Sequence, residues 1–388
     1  MPQNMLIVHG GGPTAVLNCS LFGAIDEAKK SGKISKIYGA LGGMRGVVAE
    51  RFVRLDQASD AALSLLTTTP GSAIGTSRDA MEQEDYQKVA EILKKRDIRF
   101  ALFNGGNGTM DTCGKVYRAC KEAGLDILVA GIPKTIDNDI AVTDHTPGFA
   151  SAARYMAGTV QEICADVRSL PIHVCVIEAM GRNAGWIAAA SALARQDPEL
   201  GPDLIYLPER DFSEDAFLRD VEARWAKGKG VVAVVSEGLH GPGGKSLVPP
   251  IFQTGRSVYF GDISAHLAQL VVKELGIKAR SEKPGLAGRA SIFWRSEIDC
   301  AEAEAAGRAA VQAVLAGQTG VMPALRRLSN EPYRSAQFLV PIEQVMLTER
   351  VLPQEYITPE GNGVTQAYVD WLAPLMGQSL PRFVDFNR

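Results

Sequence analysis

The chain has no CxxC pair, no HxxxH spacing and no GxxxxGK[ST] loop. The first two absences exclude the usual spacings of zinc ligands. The third removes an ordinary P-loop NTPase. Basic charge is not in excess either. The formal net charge is −3 over 388 residues, so no positive field advertises nucleic acid, and any anionic ligand must be held by local features. No run of about 18 apolar residues occurs, so no membrane-spanning helix is expected. The opening residues MPQNMLIVHGGG lack a charged segment followed by an apolar one, and no secretory signal is expected. No internal repeat or low-complexity stretch stands out. The six cysteines are Cys19, Cys113, Cys120, Cys164, Cys175 and Cys300. Most sit among apolar neighbours and read as buried thiols, and a reducing cytoplasm is the expected setting.

What is present is an ordinary globular composition, 46% hydrophobic and 22% charged, long enough for about two or three lobes. Short apolar runs at 5–10, 36–41, 100–106, 126–133, 173–181, 203–209 and 230–238 predict strands. Amphipathic stretches at 84–95, 110–124, 147–168, 213–227 and 257–275 predict helices. Strands that do not alternate between apolar and polar, separated by helices, belong to parallel sheets covered on both faces. The reading is α/β, with two doubly wound lobes of mainly parallel sheet flanked by helices. The expected divisions are 1–145, 146–320 and a C-terminal segment, 321–388, that packs back on the first lobe.

Glycine-rich loops follow several strands: HGGGPTAVLN (9–18), PGSAIGTSR (70–78) and FNGGNGTMDT (103–112). Glycines let backbone N–H groups approach a phosphate, and a helix N-terminus behind the loop favours an anion. One such loop by itself equally serves a tight turn. A polar loop, PKTIDND (133–139), follows another buried strand. Strand ends of open α/β sheets are where ligands bind. GGGPTA is not GxGxxG with an acidic residue beyond it, so a dinucleotide dehydrogenase loses ground.

Taken in order, GGGPTAVLN, GSAIGTSR, GGNGT, PKTIDND, EAMGRNAGW (178–186), SEG (236–238) and the pair Arg280 and Arg289 resemble the phosphofructokinase family. The resemblance spans about residues 5 to 290, and it is nearest the branch that contains many pyrophosphate-dependent members. It implies a phosphotransferase that moves a phosphoryl group from ATP or pyrophosphate to O1 of fructose 6-phosphate, with Mg²⁺. Carried over by position, Asp137 would take the O1 proton, aided by Lys134. Thr135 and Arg78 would stabilise the moving phosphoryl group. Gly11, Gly12, Asn107, Gly108 and Thr109 would hold the donor's phosphates. Asp139, His173, Met180, Gly181, Arg182, Glu237, Arg280 and Arg289 would hold the acceptor, the arginines on its 6-phosphate. The 1–145 lobe would bind the donor and 146–320 the sugar phosphate, in a homodimer or homotetramer. Without the family context the Asp-rich loop reads as a helix cap, Arg182, Arg280 and Arg289 as solvated arginines, Glu237 as a surface carboxylate, and His173 as a core histidine.

Departures from the family pattern bear on donor and acceptor. Asn107 stands where an Asp helps hold Mg²⁺ in the family, and a neutral carbonyl is the weaker ligand for a hard cation. Gly108 leaves room where an Asp blocks the nucleotide in pyrophosphate users, whereas Lys134 is typical of those users. Steric room narrowly favours ATP. Leu286 and Gly288 replace two phosphate-binding side chains, so a related sugar phosphate or a polyol competes as acceptor. Two other readings remain: a kinase of NAD or lipid that shares a GGDGT-type loop, against which PKTIDND and MGR argue, and a sugar-phosphate-binding relative without turnover.

Overall fold

The structure is a computed structural model that describes residues 3–195, 200–254 and 257–386. It divides into two compact units. Unit 1 comprises Met1–Ser151 and Arg289–Arg350, and unit 2 comprises Ala152–Gly288 and Val351–Arg388.

Unit 1 is built on a seven-stranded sheet in the order Tyr333–Pro341, Val321–Asn330, Leu128–Pro133, Ile98–Gly105, Gln3–His9, Ile34–Ala40, Phe52–Arg54. The inner pairings are parallel, and the two outermost are antiparallel. Alternate residues of one strand enter different cores. Leu6, Val8, Ala101, Phe103 and Val129 pack on one face, while Met5, Ile7, Phe100, Leu102 and Ala130 pack on the other. Both faces are covered, which is why these strands read as unbroken apolar runs. The chain leaves Gln3–His9 toward Ile34–Ala40 and later returns to pair on its other side with Ile98–Gly105. That reversal is a topological switch point, and it opens a crevice beyond the C-terminal ends of those strands. The 9–18 and 103–112 loops flank it.

Unit 2 carries a four-stranded parallel sheet in the order Ala279–Glu282, Val174–Ala179, Val231–Ser236, Leu204–Tyr206. Its core joins Val174, Val176, Ala233 and Val235 to Phe217 and Val221 of the helix Glu214–Trp225 and to Leu267 and Val271 of Ile263–Leu275. A second packing centre holds the last segment of the chain. Trp186, Tyr356, Tyr368 and Trp371 stack with centroids 5.1 to 6.2 Å apart, and the Tyr368 hydroxyl donates to the Trp186 carbonyl at 2.6 Å.

The fold is α/β with mainly parallel sheets flanked by helices, as expected, and all seven anticipated strands are present. Two features differ from the sequence reading. Residues 257–275 are not one helix. Ser257–Phe260 pairs with Pro250–Thr254 as a hairpin, and the helix begins at Ile263; Val258, Tyr259 and Phe260 favour extended backbone. The divisions 1–145, 146–320 and 321–388 are also not those of the contacts. Val321–Asn330 and Tyr333–Pro341 extend the unit 1 sheet, but Val351–Arg388 groups with unit 2 through its aromatic residues. The helix Glu297–Leu315 belongs to unit 1, because it lies backbone to backbone on Leu17–Ser31. A Cβ at Gly23 would meet the Glu304 carbonyl, and one at Gly307 the Ser20 carbonyl. No described helix is long and apolar enough to cross a membrane.

Candidate functional site

The 131–140 loop leaves the buried strand Leu128–Pro133 and is tied at several points. The Lys134 amide donates to the Gly105 carbonyl at 3.0 Å and the Thr135 amide to the Pro147 carbonyl at 3.1 Å. Asn138 turns with φ 53, a left-handed conformation that Asn tolerates better than most residues. Its side-chain carbonyl accepts from the Thr146 amide at 2.9 Å. The Thr135 hydroxyl accepts from the Asp137 backbone amide at 3.1 Å, which fixes that hydroxyl against the turn.

Lys134 is the centre of the site. Only 2% of it is exposed. Its ammonium donates to the Gly10 carbonyl at 3.2 Å and to the Gly12 carbonyl, which anchors the first glycine loop to the 131–140 loop. Gly11 adopts φ 74 and donates to the Ser77 carbonyl at 3.0 Å, so the 70–78 loop is held against the same turn. A side chain at Gly12 has no room: a Cβ there would stand 3.0 Å from Arg289 Nη1 and 3.2 Å from Arg78 Nη2. Lys134, Arg78 and Arg289 therefore surround one glycine turn. Burial pushes the Lys134 ammonium down to about 7; Asp137 opposes that, while Arg78 and Arg289 add to it. Arg289 is likewise held below its usual range by burial and by Arg78. A cluster with more positive than negative charge is a site prepared for an anion.

Asn107 opens the helix Asn107–Glu122, whose first N–H groups lack partners within the helix. Its amide donates to the Asp139 carbonyl at 3.1 Å. Thr109 is buried and fits against Gly10 and Gly105, where any Cβ would collide with its hydroxyl. Gly108 is the opposite case: it is exposed, and a Cβ there would meet nothing within 4 Å. Two buried oxygens here have no hydrogen-bond partner, Asn107 Oδ1 and Asp139 Oδ1. Burial also raises the Asp139 carboxyl. Orphaned buried oxygens suit a hard cation, which takes oxygen ligands. Among the described residues no cluster of three or more His, Cys, Asp or Glu side chains could hold a metal by itself.

Unit 2 groups the other expected residues in two places. Met180 and Gly181 follow the strand Val174–Ala179, and Gly181 turns with φ 115. The Gly181 amide donates to Glu237 Oε1 at 3.1 Å, and the Ser236 hydroxyl donates to the Gly181 carbonyl at 2.6 Å. Arg182 is exposed and lies 5.6 Å from the Phe260 ring. His173 and Arg280 lie elsewhere, lining a cavity of about 250 Å³ with Glu162, Asp166, Cys175 and Glu282. His173 is 5% exposed, Nδ1 lacks a partner, and burial followed by Arg280 pushes the imidazole below its ordinary value. Arg289, in unit 1, faces Gly12 and Arg78.

Sequence reasoning missed the supports of these loops. Asp299 accepts from the Gly148 and Ser151 amides at 2.8 and 3.0 Å and fixes the start of the helix that follows the loop. Glu209 accepts from the Gly185 amide at 2.8 Å and holds the loop after Arg182. Neither lies in a glycine-rich motif, and each acts through a backbone amide far from it in the chain.

A family profile described as "Phosphofructokinase" matches residues 4–314. A pyrophosphate–fructose 6-phosphate 1-phosphotransferase of Xanthomonas campestris is 37% identical, covering 97% of this chain and 92% of its own. A sulfofructose kinase of Alkalicoccus urumqiensis is 32% identical, covering 95% of this chain and 94% of its own. The crystal structure of a pyrophosphate-dependent phosphofructokinase from Nitrosospira multiformis superposes with TM-score 0.90 at 36% identity, covering 99% of this chain and 94% of its own.

Proposed function

The chain belongs to the phosphofructokinase family and is a phosphotransferase, and from that premise we propose that it transfers a phosphoryl group from ATP or pyrophosphate to O1 of fructose 6-phosphate. The observation that carries the reading is the buried Lys134 tied to the Gly10 and Gly12 carbonyls, with Arg78 and Arg289 against the same turn and Asp137 two residues from Thr135. Phosphoryl transfer needs cations around the moving charge and a base at the acceptor hydroxyl. Lys134, Arg78 and Arg289 supply the charge, Thr135 a hydrogen bond, and Asp137 takes the proton of O1. The N–H groups that open Asn107–Glu122, with Gly11, Gly12, Gly108 and Thr109, hold the donor's phosphates. The family resemblance supports Met180, Gly181, Arg182, Glu237 and Asp139 as contacts of the sugar, and Arg280 and His173 as contacts of its 6-phosphate. Mg²⁺ fits at Asn107 Oδ1 and Asp139 Oδ1, the two orphaned oxygens, completed by donor phosphates and water; bound there, it would neutralise phosphate charge. The free cysteines, five of the six buried, suit a cytoplasmic enzyme, and the family resemblance supports a homo-oligomer.

The open space at Gly108 supports ATP as donor, since a nucleotide needs room that pyrophosphate does not. Pyrophosphate is the second reading, supported by the names of relatives such as that of Xanthomonas campestris. For the acceptor a second reading also has an observation behind it. The Arg280 cavity is lined by Glu162, Asp166 and Glu282, and three carboxylates beside one arginine disfavour a dianion. A monoanionic end group, such as the sulfonate implied by the name of the sulfofructose kinase relative, suits such a cavity better. The test is a turnover assay with Mg²⁺ in a two-by-two design: ATP or pyrophosphate as donor, fructose 6-phosphate or its 6-sulfonate counterpart as acceptor. Turnover with fructose 6-phosphate supports the first reading. Turnover with the sulfonate alone transfers it to the second, and none in any vessel overturns both.

A further inference from the structure

Cys19 and Cys300 are 281 positions apart in sequence, and their sulfurs lie 2.8 Å from one another. Two helices of unit 1 bring them together. Leu17–Ser31 and Glu297–Leu315 approach closely at Gly23 and Gly307, where only glycine leaves room for the opposing carbonyls. That packing sets the first turns of the helices side by side, with Cys19 and Cys300 each among the first four residues. Helix N-termini favour a thiolate, and Arg295 Nη1 lies 3.9 Å from Cys19 Sγ. Cys19 is fully buried, while Cys300 is partly exposed, so one sulfur is open to a reagent and the other stands directly behind it. The remaining four cysteines differ in kind. Cys113, Cys120, Cys164 and Cys175 are all buried, and burial raises each thiol. The hydrogen bond between the pair, with burial, raises Cys19, but the same bond holds Cys300 below the ordinary thiol value.

We propose that Cys19 and Cys300 are a thiol-modification site, a dithiol that closes to an intramolecular disulfide on reaction with a low-molecular-weight disulfide. The Cys300 thiolate attacks one sulfur of the reagent, breaking its S–S bond, forming a mixed disulfide and releasing one thiolate. Cys19 gives its proton to solvent and attacks Cys300 Sγ, which forms the Cys19–Cys300 bond and expels the second thiolate. Two protein thiols are oxidised and one disulfide is reduced to two thiols. Closure to a bond length of about 2.0 Å requires the sulfurs to approach by less than about 1 Å. The bond would join the helix that follows the Gly10–Gly12 turn to the helix whose Asp299 holds Gly148 and Ser151.

The test uses the full chain, glutathione disulfide as the reagent, and alkylation of remaining thiols before digestion and mass spectrometry. The expected result is a linked peptide pair containing Cys19 and Cys300, four alkylated cysteines of the six, and full recovery of six after dithiothreitol. Alkylation of both Cys19 and Cys300 after treatment overturns the proposal. So does a stable glutathione adduct on Cys300 with Cys19 alkylated, because the second step then fails. A second arm uses Cys19→Ser, in which the adduct on Cys300 is expected to persist because its resolving thiol is gone; an unmodified Cys300 there overturns its role as the attacking sulfur.

Discussion

Unit 1 buries two cations in opposite ways. Lys134 sits among Arg78, Arg289 and carbonyl oxygens, and burial pushes its ammonium down to about 7. His145 is equally buried but lies between carboxylates, with Asp144 at 2.8 Å on Nδ1 and Glu302 at 2.6 Å on Nε2. Burial alone would lower it, yet Glu302 and Asp144 outweigh burial and raise it to about 9. The carboxylates are themselves satisfied. Glu302 accepts from the hydroxyls of Tyr333 at 2.7 Å and Ser335 at 2.5 Å, and Asp144 pairs with Arg327 at 2.9 Å. The balanced network is structural, because nothing in it awaits a partner. The unbalanced one is where a phosphate can complete the charge.

The comparison is broken most severely at the proposed base. Asp137→Asn is expected to lower kcat by about 10²–10⁴-fold, the range for loss of a general base, with little change in thermal stability because Asp137 is partly exposed. A steady-state assay decides it, and unchanged kcat removes Asp137 from the base role.

Next come the cations themselves. His145→Leu leaves Glu302 and Asp144 facing an apolar side chain, and losing one partner of a buried ion pair costs about 3–5 kcal/mol. The urea midpoint should fall accordingly. Lys134→Met removes a cation that its surroundings disfavour, which offsets the loss of its bonds to the Gly10 and Gly12 carbonyls, so the midpoint should fall far less than in His145→Leu, while turnover drops by about 10²–10³-fold for want of charge at the phosphate. A stability loss in Lys134→Met as large as that in His145→Leu would erase the distinction.

The same contrast should appear in pH dependence. The folded value for His145 lies above its unfolded value, so its contribution to stability is complete below about pH 6.5 and is lost as pH rises through about 9. Lys134 has the reverse sign. The unfolded chain keeps that proton to about pH 10.5, so above about pH 7 the unfolded state binds more protons and the Lys134 contribution rises with pH. Stability curves of the two variants against the parent should diverge in opposite directions between pH 7 and 9. Donor KM should rise above pH 7 as Lys134 loses its charge, and it should do so without a change in fold visible by circular dichroism.

Much of this was legible in the chain for a physical reason. Strands buried on both faces leave runs of apolar residues, and turns that approach a phosphate leave glycines, so the seven strands and the loops bearing Gly12, Asn107 and Lys134 could be read directly. The His145 network was not legible. Its members come from the 143–148 loop, from Glu297–Leu315 and from the Val321–Asn330 and Tyr333–Pro341 strands, and no local pattern links positions so distant. The placement of Arg289 with Arg78 at Gly12 was hidden for the same reason. The unit boundary falls between Gly288 and Arg289, and no composition shift marks it.

The smallest effect tests the open side of the site. Gly108→Asp adds a carboxylate where a Cβ meets nothing within 4 Å. The residue is exposed and its φ is not in the left-handed region, so the fold should not change, and Asp near a helix N-terminus is itself favourable by about 0.3–1 kcal/mol. Stability is therefore expected to hold or rise slightly. Any loss of activity must come through the donor. A carboxylate at the first turn of Asn107–Glu122 occupies the room a nucleotide needs and repels its phosphates, whereas pyrophosphate keeps its place at Lys134 and the Gly11–Gly12 turn. The expected outcome is a rise in KM for ATP of about tenfold, the equivalent of 1.4 kcal/mol, with a smaller rise for pyrophosphate. Equal rises for both donors would mean that Lys134 and its cationic neighbours, not the space at Gly108, decide which donor is used.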